Sequence, residues 1–457
     1  MTIMPSQPVV HDKAPPPRSV AETGLPLNSL LRLLLKTLYV RGLDTTSLLA
    51  KELRLTIAVT NELLEETRER ELTEILGSHG AKLHAEFRYG LTAKGREWSA
   101  DALEQSQYIG PAPVSLDDYC AQIERQRLVG ENVSRDNLVD GFVGLVVPDR
   151  LIRQLGPAIN SARAMLLYGA PGNGKTTVAG VLGASFQDVI HIPYALEVDG
   201  QIIKVFDPTI HHEYRPAGTE GGEALSLRAE DVDRRFVPCH RPVVITGGEL
   251  TLGMLDLNFN PHSRFYEAPL HVKAIGGTFI IDDFGRQLVK PEDLLNRWIT
   301  PMEKRVDFLT LNTGRTFSFP FDELIIFSTN LTPRDIMDPA FLRRISYKIE
   351  IKRPEPEEFR EIFKLECEKA GVPFSEDLVS FVMKEIQGKF EMPLGCYQPK
   401  FIIDQARYAC KYDGRPPTLN NVLVSEALDN LAPLSEDAGT LDRVHEIRGG
   451  PGIRGSD

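Results

Sequence analysis

Leu166-Leu167-Tyr168-Gly169-Ala170-Pro171-Gly172-Asn173-Gly174-Lys175-Thr176-Thr177 is the stretch on which the reading of this chain turns. It satisfies G-x-x-x-x-G-K-[ST] at every required position. A short apolar run, Ala164 to Tyr168, precedes it and predicts a strand; Thr177 to Leu182 follows and predicts a helix. Gly169, Gly172 and Gly174 let the backbone take positive φ and turn its N–H groups inward around phosphate oxygens. Lys175 is placed to reach β- and γ-phosphates, and the Thr176 hydroxyl to ligate Mg²⁺. The dipole of the following helix favours a triphosphate at its N-terminus. Gly169 through Thr177 are therefore candidate ligands of a nucleotide, ATP with Mg²⁺. A glycine-rich turn that binds nothing would not call for both the strand and the helix.

About a hundred residues on, Gly276-Gly277-Thr278-Phe279-Ile280-Ile281-Asp282-Asp283 is an apolar strand ending in two carboxylates. Strand ends in open parallel sheets face the ligand crevice. Asp282 suits Mg²⁺ through its water shell, and Asp283 suits the orientation and polarisation of an attacking water. Four apolar residues and two acids are a weak signal alone and a strong one after the Gly169 loop.

Composition narrows the classes. The chain has 457 residues, 42% hydrophobic and 25% charged, the balance of an ordinary globular protein. A formal net charge of -12 argues against wholesale wrapping by nucleic acid or an anionic membrane. Cys120, Cys239, Cys367, Cys396 and Cys410 are scattered without a C-x-x-C pair, which predicts reduced thiols and a cytoplasmic setting. The apolar run Leu30 to Lys36 is short and carries two charges, so no membrane insertion is expected. His211, His212, Cys239 and His240 fit no standard zinc spacing and are expected to be loop residues.

Residues 1–26 are proline-rich and poor in apolar side chains, which predicts a disordered tail. Residues 27–107 read as helix–helix–helix–hairpin–helix, an order that resembles a winged helix-turn-helix. Its third helix, Thr56 to Glu71, carries Glu62, Glu65, Glu66, Glu69 and Glu71 against Arg68 and Arg70. An acidic recognition helix repels phosphates, so protein contact is favoured over DNA. Residues 108–136 read as a linker around Gly110-Pro111-Ala112-Pro113, with a short helix over Leu116 to Gln126. Beyond the helix that follows the Gly169 loop, Val189 to Ile192 is expected to be a second strand. Glu197 to Phe206 reads as a hairpin turned at Asp199-Gly200. Residues 208–242 are read as a surface insertion. Four helical patterns after Pro356 form a lid, and residues 433–457 are a second polar tail.

From about Asn137 to Leu431 the chain resembles an AAA+ ATPase. Leu324 to Asn330 resembles the sensor-1 strand, whose terminal Asn330 helps hold the water near the γ-phosphate. Asp338-Pro339-Ala340-Phe341-Leu342-Arg343-Arg344-Ile345 resembles the arginine-finger segment, which implies that Arg344, or else Arg343, reaches the neighbouring subunit's site. Gln398-Pro399-Lys400-Phe401 stands where sensor 2 opens a lid helix. Val306 to Phe319 resembles the hairpin inserted before sensor 1 in the branch that includes MoxR-type chaperones and enhancer-dependent activators. Two positions depart from the pattern: Asp283 stands where Glu is usual, and Lys400 where Arg is usual, without its planar fork.

The expected fold is α/β: a P-loop AAA+ core with a parallel sheet (137–352), a C-terminal helical lid (353–432) and an N-terminal winged helix-turn-helix-like domain. The resemblance implies a homo-oligomer, a hexameric ring that hydrolyses ATP at subunit interfaces to remodel a protein client. The alternatives are a DNA-directed regulator or motor, and a slow nucleotide-gated scaffold.

Overall fold

The computed structural model describes residues 9–79, 86–215, 232–336 and 339–431. The second tail and residues 216–231 of the 208–242 insertion lie outside them. The chain opens with Leu27–Arg41 (α1), Thr46–Leu53 (α2), Ile57–Glu69 (α3), Thr73–His79 (β1), Glu86–Leu91 (β2) and Ala93–Gln105 (α4). Thr45, Thr56 and Thr92 each cap a helix by accepting a hydrogen bond from the N–H three residues on. Next come Val114–Ser115 (β3), Leu116–Arg125 (α5), Arg135–Gly141 (α6), Asp149–Asn160 (α7), Met165–Tyr168 (β4), Lys175–Gly183 (α8), Val189–Pro193 (β5), Ala195–Val198 (β6) and Gln201–Lys204 (β7). The core continues through Phe236–His240 (β8), Val243–Thr246 (β9), Asn258–Asn260 (β10), Phe265–Glu267 (β11), Leu270–Lys273 (α9), Thr278–Ile281 (β12) and Pro291–Lys304 (α10). It closes with Val306–Thr310 (β13), Thr316–Pro320 (β14), Leu324–Thr329 (β15), Pro333–Ile336 (α11), Pro339–Leu342 (α12) and Tyr347–Glu350 (β16). The lid is Pro356–Ala370 (α13), Glu376–Lys384 (α14), Gln398–Tyr412 (α15) and Asn421–Leu431 (α16).

The central sheet has the order β16-β4-β15-β12-β9, with every pair parallel. Both faces are covered, which is why its strands read as continuous apolar runs. Met165, Leu167, Ile280 and Ile326 pack with α7 and α8 on one face. Leu166, Phe279, Ile281, Ile325 and Phe327 pack around Trp298 of α10 on the other. The strand order places β15 between the P-loop strand β4 and the acid-bearing strand β12. The end of β15 therefore stands between the two halves of the site. This is a P-loop AAA+ core with a helical lid.

Val189 to Pro193 is a strand, as expected, but it is not part of the central sheet. It pairs antiparallel with β8, and β9 takes the place beside β12. The 208–242 stretch is not all surface either: Arg235 and Arg241 are buried, and β8 is a core strand. The hairpin β6–β7 does turn at Asp199 and Gly200, with φ 52° and 76°. It belongs to a second sheet of order β10-β11-β7-β6-β3.

The hairpin β13–β14 packs on that sheet, with Leu309, Leu311 and Phe319 buried against Ile203 and Tyr266. Its turn is tied down by the Asn312 N–H, which donates to the Tyr266 hydroxyl at 2.9 Å. At its base, Arg297 Nη1 donates to Asp307 Oδ1 at 2.6 Å, and His271 Nε2 lies 2.8 Å from Oδ2. Burial works against charge on Asp307, yet the bonds to His271 and Arg297 hold its pKa down at about 2.

The segment 108–136 is no free linker, because β3 and α5 belong to the cluster around the second sheet. Nor is the stretch from Val9 to Pro26 a disordered tail. It forms a strap between the core and the N-terminal helices. Val10 bridges to Val189, and the His11 ring lies 2.6 Å from Asp188 and 3.0 Å from Glu131. The buried Arg241 guanidinium sits among these groups, 2.6 Å from Asp188 and 3.2 Å from His11 Nε2. A cation is already in place there, so the cluster reads as an ion-pair staple. Further on, the Thr56 hydroxyl donates to the Pro17 carbonyl at 3.0 Å and the Val20 N–H to Glu62 at 2.8 Å. Val20 and Leu25 then enter the core of α1 to α3. The composition was misleading because the strap is held chiefly by backbone hydrogen bonds to surfaces that other segments build.

Candidate nucleotide site

The loop after β4 curls as the motif requires, with Gly169, Gly172 and Gly174 at φ 143°, 75° and 82°. At Gly169 a Cβ would stand 2.3 Å from the Ile351 carbonyl oxygen where the chain leaves β16, so only glycine fits. The Ile351 N–H in turn donates to the Tyr168 carbonyl at 2.8 Å. Lys175 opens α8 and is almost fully buried. Its ammonium donates to the carbonyls of Gly169 at 3.0 Å and Ala170 at 2.9 Å, and to Asn330 Oδ1 at 2.6 Å. Burial lowers its pKa, and the carboxylates of Asp282 and Asp283 oppose that shift.

Asn330, just past the end of β15, joins the two halves of the site: its Nδ2 donates to Asp283 Oδ1 at 3.1 Å. Beside it, the Thr176 hydroxyl donates to Asp282 Oδ2 at 2.7 Å. The structure thus brings Lys175, Asn330 and Asp283 into one chain of hydrogen bonds, with Thr176 and Asp282 as a second pair. Asp283 lies at φ 48°, a left-handed conformation that Asp and Asn tolerate better than most residues. Its turn is held from several sides. The Phe284 N–H donates to the Ser328 carbonyl at 2.8 Å, and the Thr329 hydroxyl to the Phe284 carbonyl at 2.7 Å. Gln287 accepts from the Gly285 N–H and donates to the Asp282 carbonyl at 2.9 Å. No motif pointed to Gln287, and the sensor-1 resemblance gave Thr329 no role of its own; what both do depends on how β12 and β15 lie side by side.

These residues fit ATP and Mg²⁺. A threonine hydroxyl beside a carboxylate is the hard-oxygen donor set that Mg²⁺ takes. Asn173, inside the loop, is only 5% exposed, and neither atom of its carboxamide finds a partner among the described residues. Such an orphaned buried amide calls for an explanation, and a ligand in the loop supplies one.

Other expected site residues stand apart. Arg344 pairs with Glu303 of α10, and Arg343 is exposed next to it. Asp338 lies outside the described residues. Lys400 is exposed on the first turn of α15. Tyr397, the residue before that helix, is the one that meets the loop: its N–H donates to the Gly172 carbonyl at 3.2 Å. Of the histidines weighed for zinc, His211 is a core residue. Its Nε2 lies 2.8 Å from the Lys273 carbonyl, Nδ1 accepts from the Asp207 N–H, and burial lowers its pKa to about 4. Among the described residues no helix is long and apolar enough to cross a membrane.

Residues 355–430 match the family described as Domain of unknown function (DUF8689), a match that covers the lid and leaves out the loop and the strand-end acids. No curated protein matches the chain. Among solved structures, the Thermotoga maritima RuvB Holliday junction branch migration motor is similar at 14% identity, over 69% of this chain and 72% of that one, with a TM-score of 0.36. NtrX from Brucella abortus in complex with ATP is similar at 14% identity, over 65% of this chain and 59% of that one, with a TM-score of 0.38. At such values the fold assignment rests on the chain's own strand order and loop geometry, and these give it the fold of an AAA+ ATPase.

Proposed function

We propose that the protein binds and hydrolyses ATP with Mg²⁺ at the subunit interfaces of a hexameric ring, and that the cycle remodels a protein client in the cytoplasm. The observation that carries the catalytic part is the hydrogen-bonded chain Lys175–Asn330–Asp283, with Thr176 and Asp282 beside it. Lys175 is placed to move from the loop carbonyls to the β- and γ-phosphates. Thr176 and Asp282 would hold Mg²⁺, which when bound neutralises charge on the phosphate oxygens. Asp283 orients and polarises water, Asn330 positions Asp283 and that water, and Lys400 approaches the phosphates from the lid. Arg344, or Arg343, completes the site of the neighbouring subunit. The units are the winged-helix-like 27–107, the core 137–352 and the lid 353–432.

Asp283→Asn tests this reading. Asn tolerates the same left-handed turn, so the substitution removes charge without adding backbone strain. ATP binding by calorimetry should stay near wild type, while steady-state phosphate release falls by roughly 10²–10⁴-fold, the usual worth of a positioned general base. If Asp282→Asn behaves this way and Asp283→Asn does not, the two roles are reversed. A wild type that binds ATP without releasing phosphate would mark a nucleotide-gated scaffold.

A protein client is favoured over DNA by what covers α3. The strap runs along this helix, and its backbone engages Thr56 and Glu62. The remaining exposed charges of α3 are mostly acidic. The full chain is therefore expected to bind duplex DNA weakly and without sequence preference in a mobility-shift assay at physiological salt. Submicromolar, sequence-selective binding would establish the DNA-directed alternative.

A further inference from the structure

Gly172 sits at the apex of the phosphate-binding loop, and its outward side is occupied. A Cβ there would lie 2.4 Å from Cδ1 of Tyr397, so the aromatic ring lies directly on the glycine backbone. The Tyr397 N–H donates to the Gly172 carbonyl, which makes the contact two-point: ring on Cα, amide on carbonyl. The lid is built to hold the ring there. Gln398 Oε1 accepts from the Gly395 N–H at 2.8 Å, and its Nε2 donates to the Pro393 carbonyl at 3.1 Å, which fixes the turn before α15. A Cβ on Gly395 would also come within 3.0 Å of the Tyr397 ring, at Cε1. Pro399 in the first turn stiffens the helix start. Tyr397 and Lys400 are three residues apart, so they share one helix face.

We propose that Tyr397 is the positioning residue that seats the lid on the phosphate-binding loop and thereby sets where Lys400 stands relative to the phosphates. This rests on the nucleotide reading of the loop. A phosphate-binding loop turns its N–H groups to the ligand and leaves carbonyls on its outer side. The Gly172 carbonyl is thus the point at which the lid can follow the loop without competing for phosphate. A ligand that fixes the loop also fixes Tyr397, and with it the first turn of α15. The ring and the backbone amide make the contact, so the hydroxyl is dispensable.

The test uses the full chain with Tyr397→Ala and Tyr397→Phe, read by amide hydrogen exchange and by kinetics. Without nucleotide, Tyr397→Ala should speed exchange at amides 398–403, and Tyr397→Phe should not. Unchanged exchange there in Tyr397→Ala overturns the docking itself, whatever the loop binds. With ATP and Mg²⁺, wild type and Tyr397→Phe should gain protection both at the loop and at 398–403. Tyr397→Ala should gain it at the loop alone. Its kcat should fall roughly ten- to a hundredfold with KM little changed, as expected when a contacting charge is displaced by about an ångström. Lid protection by ATP that persists in Tyr397→Ala overturns the proposal. Absence of protection at the wild-type loop overturns the nucleotide reading instead, and is told apart because the exchange difference without nucleotide remains.

Discussion

Lys175→Ala is expected to abolish ATP binding. Lys175 is the cation held inside the loop, and it is already almost free of solvent. Its three hydrogen bonds go to two loop carbonyls and to Asn330, so removal does more than delete a charge. Two carbonyls lose their donor, and Asn330 loses the contact that ties β15 to the loop. Lysine at such a site is a point charge for phosphate, and alanine offers nothing in its place. Calorimetry should detect no heat of ATP binding at concentrations that saturate wild type. Far-ultraviolet circular dichroism should be unchanged, since the packed faces of β4 and α8 do not involve this side chain. Unchanged ATP affinity in a folded variant would remove the loop from the nucleotide site.

The second large effect concerns Arg344. In the proposed ring, an arginine on the segment after α12 would act on the site of the next subunit. Arg344 now pairs with Glu303, and both side chains are partly exposed. Exposed ion pairs are worth only about 0–1 kcal/mol, so giving up the Glu303 pair costs little. Phe341 and Ile345 are buried on either side of the two arginines and anchor the segment. Arg344→Ala should therefore bind ATP almost normally, while hydrolysis drops by roughly 10³–10⁵-fold where the arginine acts on the transition state. Arg343→Ala is the comparison, and the larger loss identifies the finger. Wild-type activity should rise faster than linearly with protein concentration as the ring assembles. Mixing is decisive. An Arg344→Ala subunit keeps an intact loop and a Lys175→Ala subunit keeps an intact finger, so mixed rings should recover part of the activity that each lacks. No recovery in verified mixed oligomers, with wild-type activity per subunit constant on dilution to monomer, would mean that each chain holds a complete site.

The loop and the two acids were legible because each is a local pattern, a glycine spacing or an apolar run with a polar end, whereas Asn330 was legible only through the resemblance of its strand to sensor 1. The turn at Asp199-Gly200 was legible as a local pattern too. What the sequence hid is non-local. Val189 to Ile192 and Val243 to Thr246 are both short apolar runs, and nothing within either says which lies beside β12. Only strand pairing decides. The strap was hidden because backbone hydrogen bonds leave no trace in composition. Tyr397 was hidden because its importance comes from Gly172, more than two hundred residues earlier. The departures at Asp283 and Lys400 were visible as residue types. The left-handed turn at Asp283, and the seating of Lys400 one turn from Tyr397, belong to the folded chain.

The strap also bears on how this chain is made. His11 meets Arg241 across 230 residues of sequence and Asp188 across 177. A ribosome adds about 5–20 residues per second, so roughly ten seconds or more separate the synthesis of His11 from that of Arg241. Through that interval Val20 and Leu25 can already join the nascent helices, but the segment before them has no surface to lie on. Closure of so long a loop is entropically late. The staple at Arg241 thus reports completion of this part of the core: until β8 has paired with β5 and β9 with β12, the strap stays open to chaperones and proteases, and afterwards it is closed to both.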